Sequence, residues 1–460
     1  MNLEEPMTDH LGALAAGLSP GALVTDPAIV ESYRRDRNQA ADAGRPLAVV
    51  RAASTEDVQA ALRWAGPLRV PVVPRGAGTG LSGGATAVEG GIVLSLERMR
   101  AITVDPAAHA AVAQAGALNA EVKAAAAAHG LWYPPDPSSF ESCSIGGNVA
   151  TNAGGLCCVK YGVTADYVLG LEVVLADGTA VRLGGPRIKD VAGLSLSKLF
   201  VGSEGILGVV TEATLRLLPT PPPASTVVAV FPTVKAASEA VLDITGRLRP
   251  SMLELMDGVS VNAVEDMLRM GLDREAGALL LARSDAPHPA ASAEAELIAR
   301  LCRERGAETF ASDDPEEGEA LAGARRAALP ALEKLGDLLL EDVGVPLPQF
   351  PALVAGIEGI AAEHGVTIAT VAHAGDGNTH PVIVHRAADP ESAARAAAAF
   401  GAIIELAISL GGTITGEHGV GRLKQPWLAA QLGPDTVALT RRIKEALDPA
   451  GILNPGAVLD

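Results

Sequence analysis

Two glycine-rich segments hold the residues best suited to chemistry. His373 and His380 bracket the run HAGDGNTH, and Glu417 and His418 lie in GEHG at 416–419. Together they offer three imidazoles and a carboxylate. VTIATVA at 366–372 and PVIVH at 381–385 are rich in β-branched residues, and Asp376-Gly377 between them is a favoured turn pair. That pattern predicts a β-hairpin with a two-residue turn, in which Gly375 faces Asn378, Ala374 faces Thr379 and His373 faces His380. Opposed side chains share a face with Cβ atoms about 4.5–5.5 Å apart, so two imidazoles placed in this way can share one divalent ion. Glu417 supplies a third ligand, which leaves a coordination position open for substrate. His418 beside it is then available as a base. The spacing of the two histidines alone is a weak metal signal; the hairpin pairing and the Glu-His segment strengthen it. A structural ion usually completes four protein ligands, often with cysteine, and no Cys lies near either segment.

A second chemistry belongs to two loops. Gly78-Thr79-Gly80-Leu81-Ser82-Gly83 fits GxGxxG, but a Rossmann unit needs a helix directly after the loop and an acidic residue about 20 positions on. Here the chain runs through Gly90-Gly91 into strand-like IVLSL, so a Rossmann NAD site is rejected. Such a loop can instead be a backbone nest whose N–H groups bind a pyrophosphate. The other loop, PPDPSSFESCSIGGNVATNAGG at 134–155, combines prolines that fix the backbone with glycines that allow close approach. Asn148, Thr151 and Asn152 can hydrogen-bond a flat heteroaromatic or a ribityl chain. Two such loops suggest a large polar cofactor lying across both.

These residues need a scaffold, and 460 residues exceed one ordinary core, so two domains are expected. LAVVRA at 47–52, VPVVPRG at 70–76 and GIVLSL at 91–96 read as strands, with a helix after the first begun by Ser54 or Thr55; Thr55 is a plausible N-cap ahead of Glu56 and Asp57. Residues 11–40 read as helical, 101–115 as strand, 116–129 as helix and 130–165 as a long loop. Two strands flank the Asp177-Gly178 turn, and another occupies 208–219. PTPPP at 219–223 is the clearest linker and the expected domain boundary. Beyond it, VVAVFPT, SMLELMD, GALLLAR and VTIATVAHA read as strands separated by helices, an α+β pattern with an antiparallel sheet.

The formal net charge of −18 argues against a nucleic-acid partner and against attraction to anionic lipid. No run of about 18 apolar residues marks a membrane span. The N-terminal MNLEEPMTDH lacks the basic and apolar regions of a signal peptide, so a cytoplasmic location is expected. Cys143, Cys157, Cys158 and Cys302 form no CxxC motif and read as reduced thiols.

The motifs together carry a family resemblance. PRGAGTGLSGG at 74–84, the 135–155 loop, GSEGILGVVTEATLRL at 202–217, HAGDGNTH, GEHGVG at 416–421 and LNPG at 453–456 resemble the FAD-linked 2-hydroxyacid dehydrogenases. That family includes glycolate oxidase flavoprotein subunits, D-lactate dehydrogenases and D-2-hydroxyglutarate dehydrogenase, within the vanillyl-alcohol-oxidase superfamily. The resemblance covers the chain from about residue 45 to its end.

The resemblance implies an α+β, two-domain flavoprotein. Its parts are an FAD-binding domain of the vanillyl-alcohol-oxidase type at 1–220 (core about 45–220), an α+β cap domain with an antiparallel sheet and the metal site at 221–440, and a tail at 441–460 that returns to the first domain. It implies FAD contacts from Arg75, Gly76, Ala77, Gly78, Thr79, Gly80 and Ser82, from Pro135, Asp136, Ser144, Gly147, Asn148, Thr151, Asn152 and Gly154, from Gly205 and Ile206 beside the isoalloxazine, and from Asn454. It implies His373, His380 and Glu417 as ligands of a divalent metal, with zinc the first choice and manganese or iron the alternatives. His418 matches the base and Arg325 the arginine that holds the substrate carboxylate, although Arg326 adjoins it. The reaction implied is oxidation of a 2-hydroxy acid to the 2-oxo acid: the base takes the hydroxyl proton and hydride passes to flavin N5. The threonine and lysine that hold a second carboxylate in the dicarboxylate enzymes align with Leu329 and Leu340, which favours a small monocarboxylate such as D-lactate or glycolate. No histidine occurs in 74–84, so FAD is expected to bind without covalent attachment there. The electron acceptor is left open between a quinone, an electron-transfer protein and oxygen, as are a homodimer and peripheral membrane attachment. The competing readings are a metal-free flavoprotein alcohol or lactone oxidase and a flavin-binding electron-transfer subunit.

Overall fold

The computed structural model describes residues 7–38 and 42–459; the acidic stretch at 1–6 and residues 39–40 of the helical reading lie outside the described residues. The chain forms two compact units. The first contains the chain up to Ala153, then Val163–Thr220 and Glu417–Asp460; the second contains Gly154–Gly162 and Pro221–Gly416. The division at Thr220 falls inside PTPPP. The return to the first unit begins at Glu417 rather than at 441, and Gly154–Gly162 joins the second unit, a crossing that no composition shift marks.

In the first unit a four-stranded sheet runs in the order Leu23–Val24, Ala48–Arg51, Ile92–Ser95, Val72–Arg75. The last three strands are parallel, so each connection must cross over. The Thr55–Leu68 helix makes the first crossover and buries Val58, Ala61, Leu62 and Ala65 against Val50, Val72 and Leu94. Its cap is Ser54, whose side chain accepts the Asp57 N–H, while the Thr55 hydroxyl donates to Glu172 at 2.5 Å. The second crossover is the glycine loop, which reaches Ile92 without a helix.

A five-stranded antiparallel sheet follows, in the order Ile102–Asp105, Ala110–Gln114, Val209–Arg216, Val168–Val174, Ala180–Gly184. The single strand expected at 101–115 is thus a hairpin. The helical reading of 11–40 resolves into Met7–Ala16 and Pro27–Ser32 with a short strand between them. The loop reading of 130–165 missed the helix Ile145–Thr151, because Gly146 and Gly147 disfavour helix locally. Ser144 stabilises it by accepting the Gly147 N–H at 3.3 Å.

The second unit is built on an eight-stranded sheet in the order Glu308–Ser312, Ser225–Phe231, Ala278–Ser284, Met252–Asp257, Thr367–His373, Asn378–His385, Asp337–Leu340, with Val343–Gly344 also on Asn378–His385. Every pairing in it is antiparallel. The registers line up Val228, Leu281, Glu254, His373 and Asn378 as one row of directly opposed residues, and such residues project to one face. Around them Met256, Leu279, Leu281, Val371 and Val382 pack on apolar side chains of the helices Gly258–Leu268, Pro315–Arg326 and Ala328–Leu332.

Contrary to the expected lack of an apolar run, the helix Pro390–Ser409 is long and apolar enough, by length and composition, to cross a membrane. Ala396, Ala399, Phe400, Ile403, Ile404 and Ala407 are its buried stripe, and it packs on Asn378–His385 and on the helix Phe350–His364. Its alanines make it apolar overall while the side away from that stripe stays exposed, the pattern of a core-packing helix.

The seat of the Ile145–Thr151 helix is testable. A Cβ on Gly146 would lie 2.7 Å from the Ala115 Cβ and 2.9 Å from its carbonyl oxygen. Gly146→Ala should therefore destabilise the first unit by roughly 1–3 kcal/mol, read as a lower urea midpoint in the FAD-free chain. A variant as stable as its parent would show that the helix is seated elsewhere.

Candidate functional site

The two histidines of the second unit share a face, but not in the expected register. His373 pairs with Asn378 and Val371 with His380, so the loop is the four-residue 374–377 rather than a two-residue turn. The physical reason lies in its surroundings. The Gly375 N–H donates to Leu253 O at 3.1 Å, and Gly377 O accepts the Val345 N–H at 3.2 Å. These neighbours draw the loop open, and Gly377 takes φ +83 with no room for a Cβ beside Val345 O. His380 lies two residues beyond Asn378 and so stays on the His373 side. The imidazoles are diagonal neighbours with ring centroids 5.0 Å apart at 85°.

Strand alternation brings in a residue that sequence reasoning missed. Glu254 is the cross-strand partner of His373. Both of its carboxylate oxygens lie within 2.9 Å of His373 Nδ1, and its Oε2 lies 2.9 Å from Arg325 Nε. All three side chains are buried, Glu254 to 1% exposure. The signal was present in MLELM at 252–256, where one acid occupies a position that alternation assigns to the interior. Arg325 is the buried arginine of the pair; Arg326 turns to Glu319 at 2.5 Å. Arg325 Nε and Nη2 are both buried with no hydrogen-bond partner among the described residues, so the contact with Glu254 is an ion pair. Glu254 and Arg325 are the polar lining of a small cavity whose other walls are apolar side chains, Val228, Leu281 and Leu321 among them.

Asp342 is a second residue missed. It is fully buried and lies beside His380, with Oδ1 3.5 Å from Nδ1. Its Oδ2 accepts the Thr415 hydroxyl at 2.7 Å and the Gly416 N–H at 2.9 Å. Gly416 precedes Glu417, so the chain leaves the second unit from a point anchored beside His380. Leu329 and Leu340 are half-buried and pack against the apolar cluster.

The expected cofactor residues of the first unit lie in the two loops and the segments that hold them. Ala77 N–H donates to Ser144 Oγ at 3.2 Å, which joins the glycine loop to the start of the 145–151 helix. Arg75 stacks over Tyr33 at 5.7 Å and donates to Arg35 O, while Gly76, Gly78, Thr79 and Gly80 follow it along the partly accessible loop. Ser82 is buried, and its carbonyl accepts Arg422 and Leu423 N–H. Pro135 and Asp136 are buried next to the 145–151 segment, and Pro135 O accepts Asn119 Nδ2–H. Thr151 bonds back to Gly147 O. Two expected contacts have other work: Asn148 binds Asn119 and Cys143, and Asn152 is the left-handed C-cap whose Oδ1 accepts the Ala165 N–H. Gly154 belongs to the second unit.

Asn454 lies in the tail segment that belongs to the first unit. Its Nδ2 donates to Gly84 O and Glu204 O, each at 2.8 Å, where Gly205 and Ile206 follow. Glu204 itself is a buried acid in the left-handed region at φ +49. Its carboxylate accepts Val420 N–H at 2.7 Å and Gly421 N–H at 2.8 Å, so it ties down the turn after Glu417 and His418. Burial pushes its carboxyl up to about 7 against those hydrogen bonds, and burial raises Asp36 to about 6.

The comparisons agree with this architecture. Residues 46–184 match the model of an FAD binding domain, and residues 220–458 match that of the FAD linked oxidases, C-terminal domain. The chain is 42% identical over 415 residues to a glycolate oxidase subunit, GlcD, of Bacillus subtilis, covering 89% of this chain and 88% of that protein. It is 37% identical over 436 residues to a D-lactate dehydrogenase of Archaeoglobus fulgidus, covering 93% and 96%. Among solved structures, p-cresol methylhydroxylase with substrate bound shares the fold at a TM-score of 0.82, with 18% identity and coverage of 99% of this chain and 97% of that one.

Glu204 yields a prediction with a definite sign. Its carboxyl titrates near 7 when folded against an ordinary value of 4.5, so the fold binds the proton more tightly than the unfolded chain does. Stability is fully present below about 4.5 and falls as pH rises through 7. Glu204→Gln removes this titration. The stability of the variant relative to the parent should rise between pH 5 and pH 8, read from urea midpoints of the FAD-free chains. A difference independent of pH would show that Glu204 is ionised throughout.

Proposed function

The chain belongs to the FAD-linked oxidases, and from that premise we propose that it oxidises a 2-hydroxy monocarboxylate to the 2-oxo acid. D-lactate, glycolate or a close apolar homologue is the substrate, FAD is held without a covalent bond, and His373, His380 and Glu417 bind a divalent ion, zinc first among candidates. The observation that carries this reading is the histidine pair of the second unit, with rings 5.0 Å apart and His373 Nδ1 taken by Glu254. Metal-ligating histidines commonly donate the other ring N–H to a carboxylate, so His373 offers its Nε2 to an ion. The anchored Gly416 supports Glu417 as the third ligand, because adjacent Cα atoms are only about 3.8 Å apart.

When bound, FAD supplies a two-electron acceptor and the divalent ion a Lewis acid. The remaining work falls to the chain. Arg325 holds the substrate carboxylate, since a buried guanidinium with an unbonded Nη2 suits an anionic ligand. His418 accepts the hydroxyl proton, as an imidazole can at neutral pH. Glu204 and Ser82 hold the segment that follows His418 by its backbone. Leu329 and Leu340 pack on an apolar cluster, and neither side chain can pair with a second carboxylate.

Substrate choice tests this reading. Under anaerobic conditions D-lactate, glycolate or D-2-hydroxybutyrate should bleach the flavin readily. The kcat/KM for D-2-hydroxyglutarate should be at least about a hundredfold lower, because an unpaired buried carboxylate costs several kcal/mol. A preference for the dicarboxylate would overturn the assignment of Leu329 and Leu340.

The base is tested apart from the ligands. His418→Asn should retain FAD and metal by elemental analysis, yet reduce the flavin about 10²–10⁴-fold more slowly. Loss of the ion would make His418 a ligand. Full turnover by metal-free wild-type protein would remove the ion from the mechanism.

A further inference from the structure

Glu254 takes no part in the chemical steps just described, yet its carboxylate touches two residues that do. Strand register makes it the direct partner of His373, so the backbone sets their separation. Both carboxylate oxygens lie within 2.9 Å of His373 Nδ1, and Oε2 lies 2.9 Å from Arg325 Nε. The group is 1% exposed on a sheet face whose neighbouring positions, Leu281 and Met256, are apolar.

The donor and acceptor inventory decides the rest. An ionised carboxylate only accepts, so the shared proton sits on His373 Nδ1 and the lone pair on Nε2. The same carboxylate lies 2.9 Å from the guanidinium Nε as an ion pair, on the side away from the Nη1–Nη2 edge; Nε and Nη2 both lack a hydrogen-bond partner among the described residues, and Nη2 is left for another anion. One buried carboxylate thereby constrains the tautomer of an imidazole and the rotation of a guanidinium. A plain structural ion pair would need only the arginine.

We propose, resting on the metal and carboxylate sites assigned above, that Glu254 is a positioning residue that prepares both at once. It fixes the ligating tautomer of His373 and presents the outer edge of Arg325 to the substrate carboxylate. Metal affinity and carboxylate affinity therefore depend on the same side chain.

The test uses the full FAD-loaded chain and two probes. Zinc binding is measured by competition with a chromophoric chelator, and binding of propanoate, a carboxylate without the hydroxyl, by perturbation of the flavin spectrum. Glu254→Gln keeps the shape, but its amide nitrogen cannot accept a hydrogen bond. It should weaken zinc by about 10–100-fold and propanoate by about tenfold or more, with flavin content unchanged. Glu254→Asp keeps the charge on a stem shorter by one methylene, and should fall between the parent and the Gln variant on both constants. If the Gln variant does not fold, the Asp variant carries the test, and wild-type values for both probes would overturn the proposal. Weakening of only one probe by Glu254→Gln, or of neither, also overturns it and leaves a structural ion pair. Wild-type protein that binds neither probe instead removes the underlying site assignment, an outcome separable from the first because it appears without any substitution.

Discussion

A carboxylate buried in an apolar sheet face must be paired, because an isolated buried charge costs several kcal/mol. Glu254 meets that requirement with His373 on the neighbouring strand and Arg325 on a helix packed over the sheet. Three elements distant in sequence are thus locked by one side chain, and the registers of the Met252–Asp257 and Thr367–His373 strands are tied to the chemistry they carry. A slip of one residue would send Glu254 and His373 to opposite faces. The apolar residues around them exclude water, which strengthens the pairing and makes the loss of any partner costly.

The first unit solves a different problem. Its glycine loop has no helix behind it, so its backbone must be held by side chains and by other loops. Ser144 bonds the loop to the 145–151 helix, Asn454 bridges Gly84 and Glu204, and Glu204 grips the turn at Val420 and Gly421. The strained φ of Glu204 and its raised carboxyl pKa are the costs of placing an acid there. The contacts of Asn454 and Glu204 join segments more than two hundred residues apart, and each of the contacts named bonds backbone rather than a side-chain surface.

Sequence reasoning failed wherever long-range partners overrode a local signal. Asp376-Gly377 is a good two-residue turn in isolation, but Leu253 and Val345 compete for the backbone of the loop and open it to four residues. The 145–151 helix contains two glycines and was hidden by them; Ser144 and the Ala115 carbonyl stabilise it from outside. Thr55 resembles a cap, yet its hydroxyl is engaged by Glu172 and Ser54 takes the role. In each case propensity was outweighed by a contact that no window of sequence contains.

By itself the sequence determined the two-domain fold class, most strands of both units, the rejection of a Rossmann loop and the FAD-linked oxidase family. Those features rest on local periodicity, on proline and glycine chemistry and on short motifs, all of which are readable in one dimension. It also named His373, His380, Glu417, His418 and Arg325 as candidates. Only the tertiary structure decided that the histidines are diagonal rather than opposed, that Arg325 rather than Arg326 is buried, and that Glu254 and Asp342 stand beside the histidines. The reason is physical: the pairing of a buried charge depends on strand order and register across the sheet, and neither is encoded in the residues adjacent to it.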